Sequence, residues 1–268
     1  IVIVHLYGYV CDFREIIGFC KKRKIKIIED CAQSLGAQIQ NKKSGTLADF
    51  SCYSFHAVKN ITTLGEGGML YVKDKNLALK APGLRHNGHS QYGSKRKNYW
   101  LPAMVNVDLD LQNKWPYKFT LSEIQCGAGI LMMKKLDKFN QLRIKRAKKF
   151  VNSLKNFKEL VFNSSFEKRR HVYHLLTAYY KPSKKVNRNN LIDRLYKDYS
   201  VKCAIQFYPL YKYSLFKKMG FGSHKCPNTE KFYNNMISFP FHIWMTNKQF
   251  DYMIYSVKKT LIHLRKYS

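Results

Sequence analysis

Apolar positions near the start of the chain come in short blocks separated by polar turns. Ile1-Val2-Ile3-Val4-His5 reads as a buried strand that ends at a turn, Leu6-Tyr7-Gly8. From Asp12 to Lys24 the spacing becomes helical. Phe13, Ile16, Ile17 and Cys20 share one face, and Lys21 to Lys24 form a basic end where a helix favours cations. Ile25 to Ile28 is a second strand block, closed by an acid pair, Glu29-Asp30. Strand, helix, strand predicts a parallel, right-handed crossover. Cys31 to Ala37 is expected to begin a helix, and Asn41 to Gly45 to form a turn. Phe50 to Phe55 is a third strand block and Met69 to Val72 a fourth. Between them lie Lys59 and a Gly-rich turn, Gly65-Glu66-Gly67-Gly68.

Further along, Lys75 to Leu84 reads as a short helix that runs until Pro82. Gly88 to Pro116 is polar, aromatic and irregular, with Trp100 and Trp115 expected to pack it down. Thr120-Leu121-Ser122-Glu123 caps a long helix from Ile124 to Leu154. Beyond Asn156 the pattern changes to a strand at Val172 to Tyr180, a helix at Asn189 to Tyr199 and a strand at Val201 to Phe207. Pro227-Asn228-Thr229-Glu230 opens another helix. The closing segment, Asn247 to Leu264, carries Phe250, Met253, Ile254, Val257 and Leu261 on one stripe, the mark of a core-facing helix. The whole reads as an α/β protein with a mostly parallel sheet over residues 1–150 and a small α+β domain over 151–268.

Open α/β sheets bind ligands beyond the strand ends, and here those ends carry chemistry. Asp30 offers an acid, Ser54 a hydroxyl and Lys59 an amine. That set suits pyridoxal 5'-phosphate, which needs an amine for its Schiff base and an acid against its pyridine nitrogen. Its phosphate also needs hydroxyls and backbone N–H groups. Each residue has a plainer reading too: Asp30 as a helix N-cap, Gln33 as a first-turn residue, Ser54 as a strand residue and Lys59 as a surface charge.

Charge widens the choice before the motifs narrow it. With 48 Lys and Arg against 17 Asp and Glu, the net charge is +31. Nucleic acid and anionic membranes are the partners such a charge suggests. The basic residues are spread along the chain rather than blocked together, so neither is expected. The field still favours anionic ligands such as nucleotide diphosphates. The seven cysteines include no C-x-x-C pair and no zinc spacing, so free thiols, no metal and a cytoplasmic setting are expected. No apolar run reaches the roughly 18 residues of a membrane span.

The segments EDCAQSLGA, SGTLADFSCYSFHAVKN and TTLGEGGML stand in one order and at close spacing. They resemble the DegT/DnrJ/EryC1/StrS family of sugar aminotransferases, pyridoxal-phosphate enzymes of fold type I. The resemblance extends from Ile1 to about Leu264. It implies that residues 1–150 are the C-terminal part of the large domain. It makes Lys59 similar to the Schiff-base lysine and Asp30 to the partner of the pyridine nitrogen. Gln33 resembles the glutamine near the ring, and Ser54 the serine on the phosphate. In Pro116-Tyr117-Lys118-Phe119, Lys118 matches a residue that approaches the phosphate held by the other subunit, so a homodimer is implied.

Two further positions concern substrate. His174 matches a motif histidine, while Gln206 and Tyr211 replace histidines of the V-H-Y-x-P-L-H segment. Leu84-Arg85-His86-Asn87-Gly88 resembles L-R-x-H-G with His and Asn exchanged, so His86 is not counted. Whole members carry a further stretch ahead of V-H-L-Y-G, and this sequence opens at that segment. The implied reaction passes an amino group from an amino-acid donor, glutamate first, to a nucleotide-linked keto sugar for surface polysaccharide. Three alternatives stay open. One is a sugar dehydratase of the same fold, whose members carry histidine where Lys59 stands. The others are an incomplete, non-catalytic remnant and a basic nucleic-acid-binding protein.

Overall fold

A computed structural model of the protein describes residues 1–88, 115–163 and 169–267. They form two compact units, Ile1–Asp137 and Lys138–Ser268. The first contains β1 (Val2–Val4), α1 (Arg14–Lys22), β2 (Ile28–Asp30), β3 (Gln38–Ile39) and β4 (Lys42–Lys43). It continues through β5 (Phe50–Ser54), β6 (Gly68–Val72), α2 (Lys75–Arg85) and the start of α3 (Glu123–Leu154). The main sheet has the order β1-β2-β5-β6. β1, β2 and β5 are parallel, with Val4 opposite Asp30 and Asp30 opposite Cys52. β6 returns antiparallel, pairing Gly68 with Ser54. Ile3, Phe13, Cys20, Ile27 and Ala48 make the core on one face of this sheet.

Several expectations shift. Ile16 is 37% exposed, whereas Phe13 and Cys20 are buried, so the inward stripe of α1 is narrower than its spacing suggests. The second strand begins at Ile28, because the Ile25 N–H still closes onto Cys20 O of α1 at 2.9 Å. Cys31 to Ala37 is a run of turns, not a helix. Asp30 Oδ1 caps the Ala32 N–H at 3.0 Å, but the buried Ser34 is tied to Ser44 at 2.8 Å. Gly36 then turns with φ +82. α2 passes through Pro82 to Arg85, because a proline in the final turn forfeits one N–H bond near where the helix ends anyway. The cap of α3 is Ser122, whose Oγ accepts the Gln125 N–H at 3.3 Å while Gln125 Oε1 accepts the Ser122 N–H at 3.2 Å. Trp115 is 89% exposed rather than packed, and Trp100 lies outside the described residues.

The second unit holds the rest of α3, β7 (Leu160–Phe162), β8 (Arg169–Arg170), β9 (Leu176–Tyr180) and α4 (Arg188–Tyr199). After these come α5 (Ser214–Lys218), α6 (Pro227–Asn235), β10 (Met236–Phe239) and α7 (Asn247–Arg265). Its sheet runs β10-β9-β7, all antiparallel. Phe150, Leu154, Leu191, Leu195 and the α7 stripe Phe250, Met253, Val257 and Leu261 fill the core. Asn187 with Asn190, and Thr246 with Gln249, cap α4 and α7 reciprocally. Val201 to Phe207 is not a strand: Ala204 and Ser238 exchange two hydrogen bonds of 2.9 Å as a single bridge. The expected strand from Val172 starts only at Leu176, because Tyr173 takes a left-handed φ of +47. Among the described residues no helix is long and apolar enough to cross a membrane.

One buried charge pair fixes the end of β2. Glu29 is fully buried and accepts three backbone N–H groups, from Gly45 at 2.7 Å and from Leu47 and Ala48 at 2.8 Å. Its Oε2 also meets His5 Nε2 at 2.9 Å. Burial works against the charge on both partners and is outweighed on both. Hydrogen bonds to Cys11 and Glu29 lift His5 to about 9, and hydrogen bonds from His5 and the loop N–H groups hold Glu29 below the usual carboxylate range. A histidine raised from 6.5 to about 9 contributes stability that is complete below pH 6.5 and is lost as pH rises through about 9. We therefore expect urea unfolding to show a decline on the order of 3 kcal/mol across that window, flattened in His5→Asn. A profile of equal slope in both proteins contradicts this.

Candidate functional site

The carboxyl ends of two central strands gather some of the predicted residues. Asp30 ends β2 and Ser54 ends β5, neighbouring parallel strands in which Asp30 pairs with Cys52. Beyond Ser54 the chain makes a closed loop that carries Lys59. Phe55 N–H donates to Gly67 O and Ala57 N–H to Gly65 O, both at 2.7 Å, and Thr63 N–H returns to Phe55 O at 3.1 Å. Asn60, Ile61 and Thr63 are buried beneath this loop, so its position is set by packing as well as by hydrogen bonds. Lys59 N–H donates to His56 O at 2.9 Å, which orients the turn from which the side chain leaves.

The amine of Lys59 is half-buried. Burial lowers its pKa, and the Asp30 carboxylate partly opposes that shift. The two groups therefore sense each other across the strand ends. Ser54 Oγ accepts the His56 N–H at 3.3 Å. Gln33 lies in the turn after β2, where its Oε1 accepts the Tyr7 N–H at 2.7 Å, leaving its NH₂ as the donor. Lys118 is exposed and donates from Nζ to His86 Nδ1 at 3.0 Å, across an antiparallel bridge between the two residues. His86, left uncounted in the sequence, is thus the neighbour that Lys118 meets. His174 and Gln206 belong to the second unit. His174 is buried and its carbonyl accepts Arg143 Nη1 at 3.3 Å, and the Gln206 N–H meets Met236 Sδ at 3.1 Å.

Two glycines of the G-E-G-G turn are required by geometry. Gly65 has φ +123, closed to other residues without strain. At Gly67 a Cβ would stand 2.1 Å from Thr63 Oγ1, the hydroxyl that donates to Glu66 O at 2.8 Å. A groove of about 630 Å³ lies beside this turn, lined by Met69, Ala81, Arg85 and Leu121, and includes none of Asp30, Gln33, Ser54 and Lys59. Those four are each half-buried, at or just beyond the carboxyl ends of β2 and β5. Gly67→Ala is expected to destabilise the chain by about 1–3 kcal/mol in thermal unfolding. Gly127→Ala, in open space on α3, should raise stability by about 0.5–1 kcal/mol. Equal effects would contradict the packing described.

Comparison with known proteins gives this arrangement its context. The profile of the DegT/DnrJ/EryC1/StrS aminotransferase family matches residues 1–258. An uncharacterized protein of Methanocaldococcus jannaschii is 30% identical over 97% of this chain and 66% of its own length. The UDP-4-amino-4,6-dideoxy-N-acetyl-beta-L-altrosamine transaminase of Campylobacter jejuni serotype O:23/36 is 28% identical over 98% of this chain and 65% of its own. Among solved structures, Helicobacter pylori PseC, an aminotransferase involved in the biosynthesis of pseudoaminic acid, superimposes with a TM-score of 0.84. It is 26% identical and covers 98% of this chain and 66% of that one. The chain thus spans 65–66% of the length of these curated relatives. From the strand ends outward, and across nearly its whole length, the chain belongs to the DegT/DnrJ/EryC1/StrS aminotransferase family.

Proposed function

We propose that this chain carries the lysine-bearing part of a pyridoxal 5'-phosphate-dependent sugar aminotransferase. Its reaction moves an amino group from an amino-acid donor, glutamate first, to the keto group of a nucleotide-linked sugar. The carrying observation is the half-buried Lys59 just beyond β5, whose pKa burial lowers while the Asp30 carboxylate at the end of β2 opposes the shift. The donor set fits the cofactor: an amine for its aldehyde carbon, a carboxylate for its ring nitrogen, and a hydroxyl with nearby N–H groups for its phosphate. When bound, the cofactor supplies the sink for the electrons of a breaking C–H bond.

Lys59 Nζ would hold the cofactor through its aldehyde carbon, and the same amine would take up the proton at the substrate carbon and return it. Burial suits it to that role, because a less basic amine is more often free of its own proton at neutral pH. Asp30 keeps a proton on the ring nitrogen, and its tie to the Ala32 N–H steadies it. Ser54 binds phosphate and Gln33 packs at the ring. Lys118 reaches the phosphate held by a second copy of the chain, and His174 and Gln206 contact substrate. The +31 charge favours the nucleotide diphosphate of the sugar substrate. A lysine at position 59 favours amino transfer over dehydration, and the free cysteines suit a reducing cytoplasm.

Glutamate labelled with ¹⁵N, offered with a panel of nucleotide-linked keto sugars, should yield ¹⁵N-labelled amino sugar. Lys59→Ala should slow that transfer by at least about 10²-fold at equal folded protein. Transfer that persists undiminished in Lys59→Ala, or none from the unaltered chain on any sugar of the panel, contradicts the proposal.

A further inference from the structure

Cys11 takes no part in the chemistry assigned to Lys59 and Asp30, yet it is not an ordinary thiol. Its Sγ lies 3.4 Å from His5 Nδ1. On the far side of the same ring, His5 Nε2 lies 2.9 Å from Glu29 Oε2. Neither histidine nor glutamate is exposed at all. Glu29 is held by the N–H groups of Gly45, Leu47 and Ala48, and the Phe13 ring stands 5.7 Å from the imidazole, so the ring has one orientation. Sulfur, imidazole and carboxylate in line is the arrangement that activates a nucleophile: a proton-handling group beside the sulfur, oriented by a third.

Access distinguishes this thiol from its partners. Cys11 is half-buried and walls a surface cavity of about 90 Å³, which also receives Arg14, Gln40 and Lys42. A water molecule's share of liquid volume is about 30 Å³, so the cavity admits a reagent of a few heavy atoms. The one acid on its wall, Asp12, is engaged by Arg14 at 2.8 and 2.6 Å. The remaining thiols differ. Cys20 and Cys31 are buried, and burial pushes Cys31 and the half-buried Cys203 up to about 12. Cys52, Cys126 and Cys226 are exposed, and among the described contacts none of the three faces a histidine.

We propose that Cys11 is a reactive thiol activated by His5 and Glu29, and the site at which small electrophiles, hydrogen peroxide first, modify this chain. In that reaction Sγ attacks one peroxide oxygen and the O–O bond breaks. Sulfur loses two electrons and becomes a sulfenic acid. The peroxide is reduced, and its second oxygen leaves as water after taking a proton through His5 Nδ1. The sulfenic acid is reversible, condensing with a second thiol to a disulfide and water. Nothing in this step draws on the Lys59 site.

Exposure and activation predict opposite orders of labelling, so one experiment separates them. The folded chain is treated with limiting iodoacetamide at neutral pH and each cysteine is followed by peptide mass spectrometry. Cys11 should react about 10-fold faster than Cys126 and Cys226, as an assisted sulfur does against an ordinary one. Peroxide followed by dimedone should place its adduct at Cys11 before any other site. In His5→Asn the advantage of Cys11 should vanish while Cys20 and Cys31 stay unlabelled, which reports an intact fold. Labelling of Cys11 at or below the rate of Cys126 and Cys226 in the unaltered chain overturns the proposal, whatever the variant does.

Discussion

Glu29 is a carboxylate with no exposure to water, and a bare buried charge of that kind would cost several kcal/mol or more. It is tolerated because four donors surround it: His5 and the N–H groups of Gly45, Leu47 and Ala48. Those bonds also do spatial work. They tie β1, the end of β2 and the loop before β5 to a single point, and so set the register at which Asp30 meets Cys52. Side chains alternate along a strand, so the next residue, Asp30, faces the other way. Adjacent acids therefore serve different purposes, one holding the sheet and one standing at the carboxyl end of β2.

Lys59 depends on that strand end from the opposite side. Its loop is closed by hydrogen bonds from Phe55 and Ala57 to the G-E-G-G turn, and buried Asn60, Ile61 and Thr63 anchor it. A lysine on a free loop would be fully solvated and fully charged. Held here it is half-buried and its proton is weakened, with Asp30 near enough to moderate the effect. The balance between desolvation and an opposing carboxylate is a physical route to an amine that can both hold a carbonyl carbon and carry a proton.

Much of this could be read from the sequence, and the failures share a cause. Phe50 to Phe55 was legible as a short apolar run between polar turns, and the α7 stripe because burial imposes a helical period on it. Asp30, Ser54 and Lys59 stand out in the sequence because their segments carry a family wording. What was lost depended on partners distant in sequence. Cys31 to Ala37 has helical composition, yet a hydroxyl pair between Ser34 and Ser44 and the left-handed Gly36 win over propensity. Val201 to Phe207 looks like a strand, yet its ladder among the described residues is a bridge from Ala204 to Ser238. The clamp of His5 and Glu29 was invisible for the same reason, since nothing local says that a histidine in β1's wake meets an acid in β2.

The most direct test is to ask whether Lys59, among all the lysines of so basic a chain, is the one that captures the cofactor's aldehyde. The purified chain is mixed with pyridoxal 5'-phosphate, its visible absorbance recorded, and the adduct fixed with borohydride and mapped by peptide mass spectrometry. The account predicts a visible band that borohydride removes, with the fixed mass at Lys59 and no band in Lys59→Ala. A mass spread over surface lysines, or a band that survives in the variant, would contradict it.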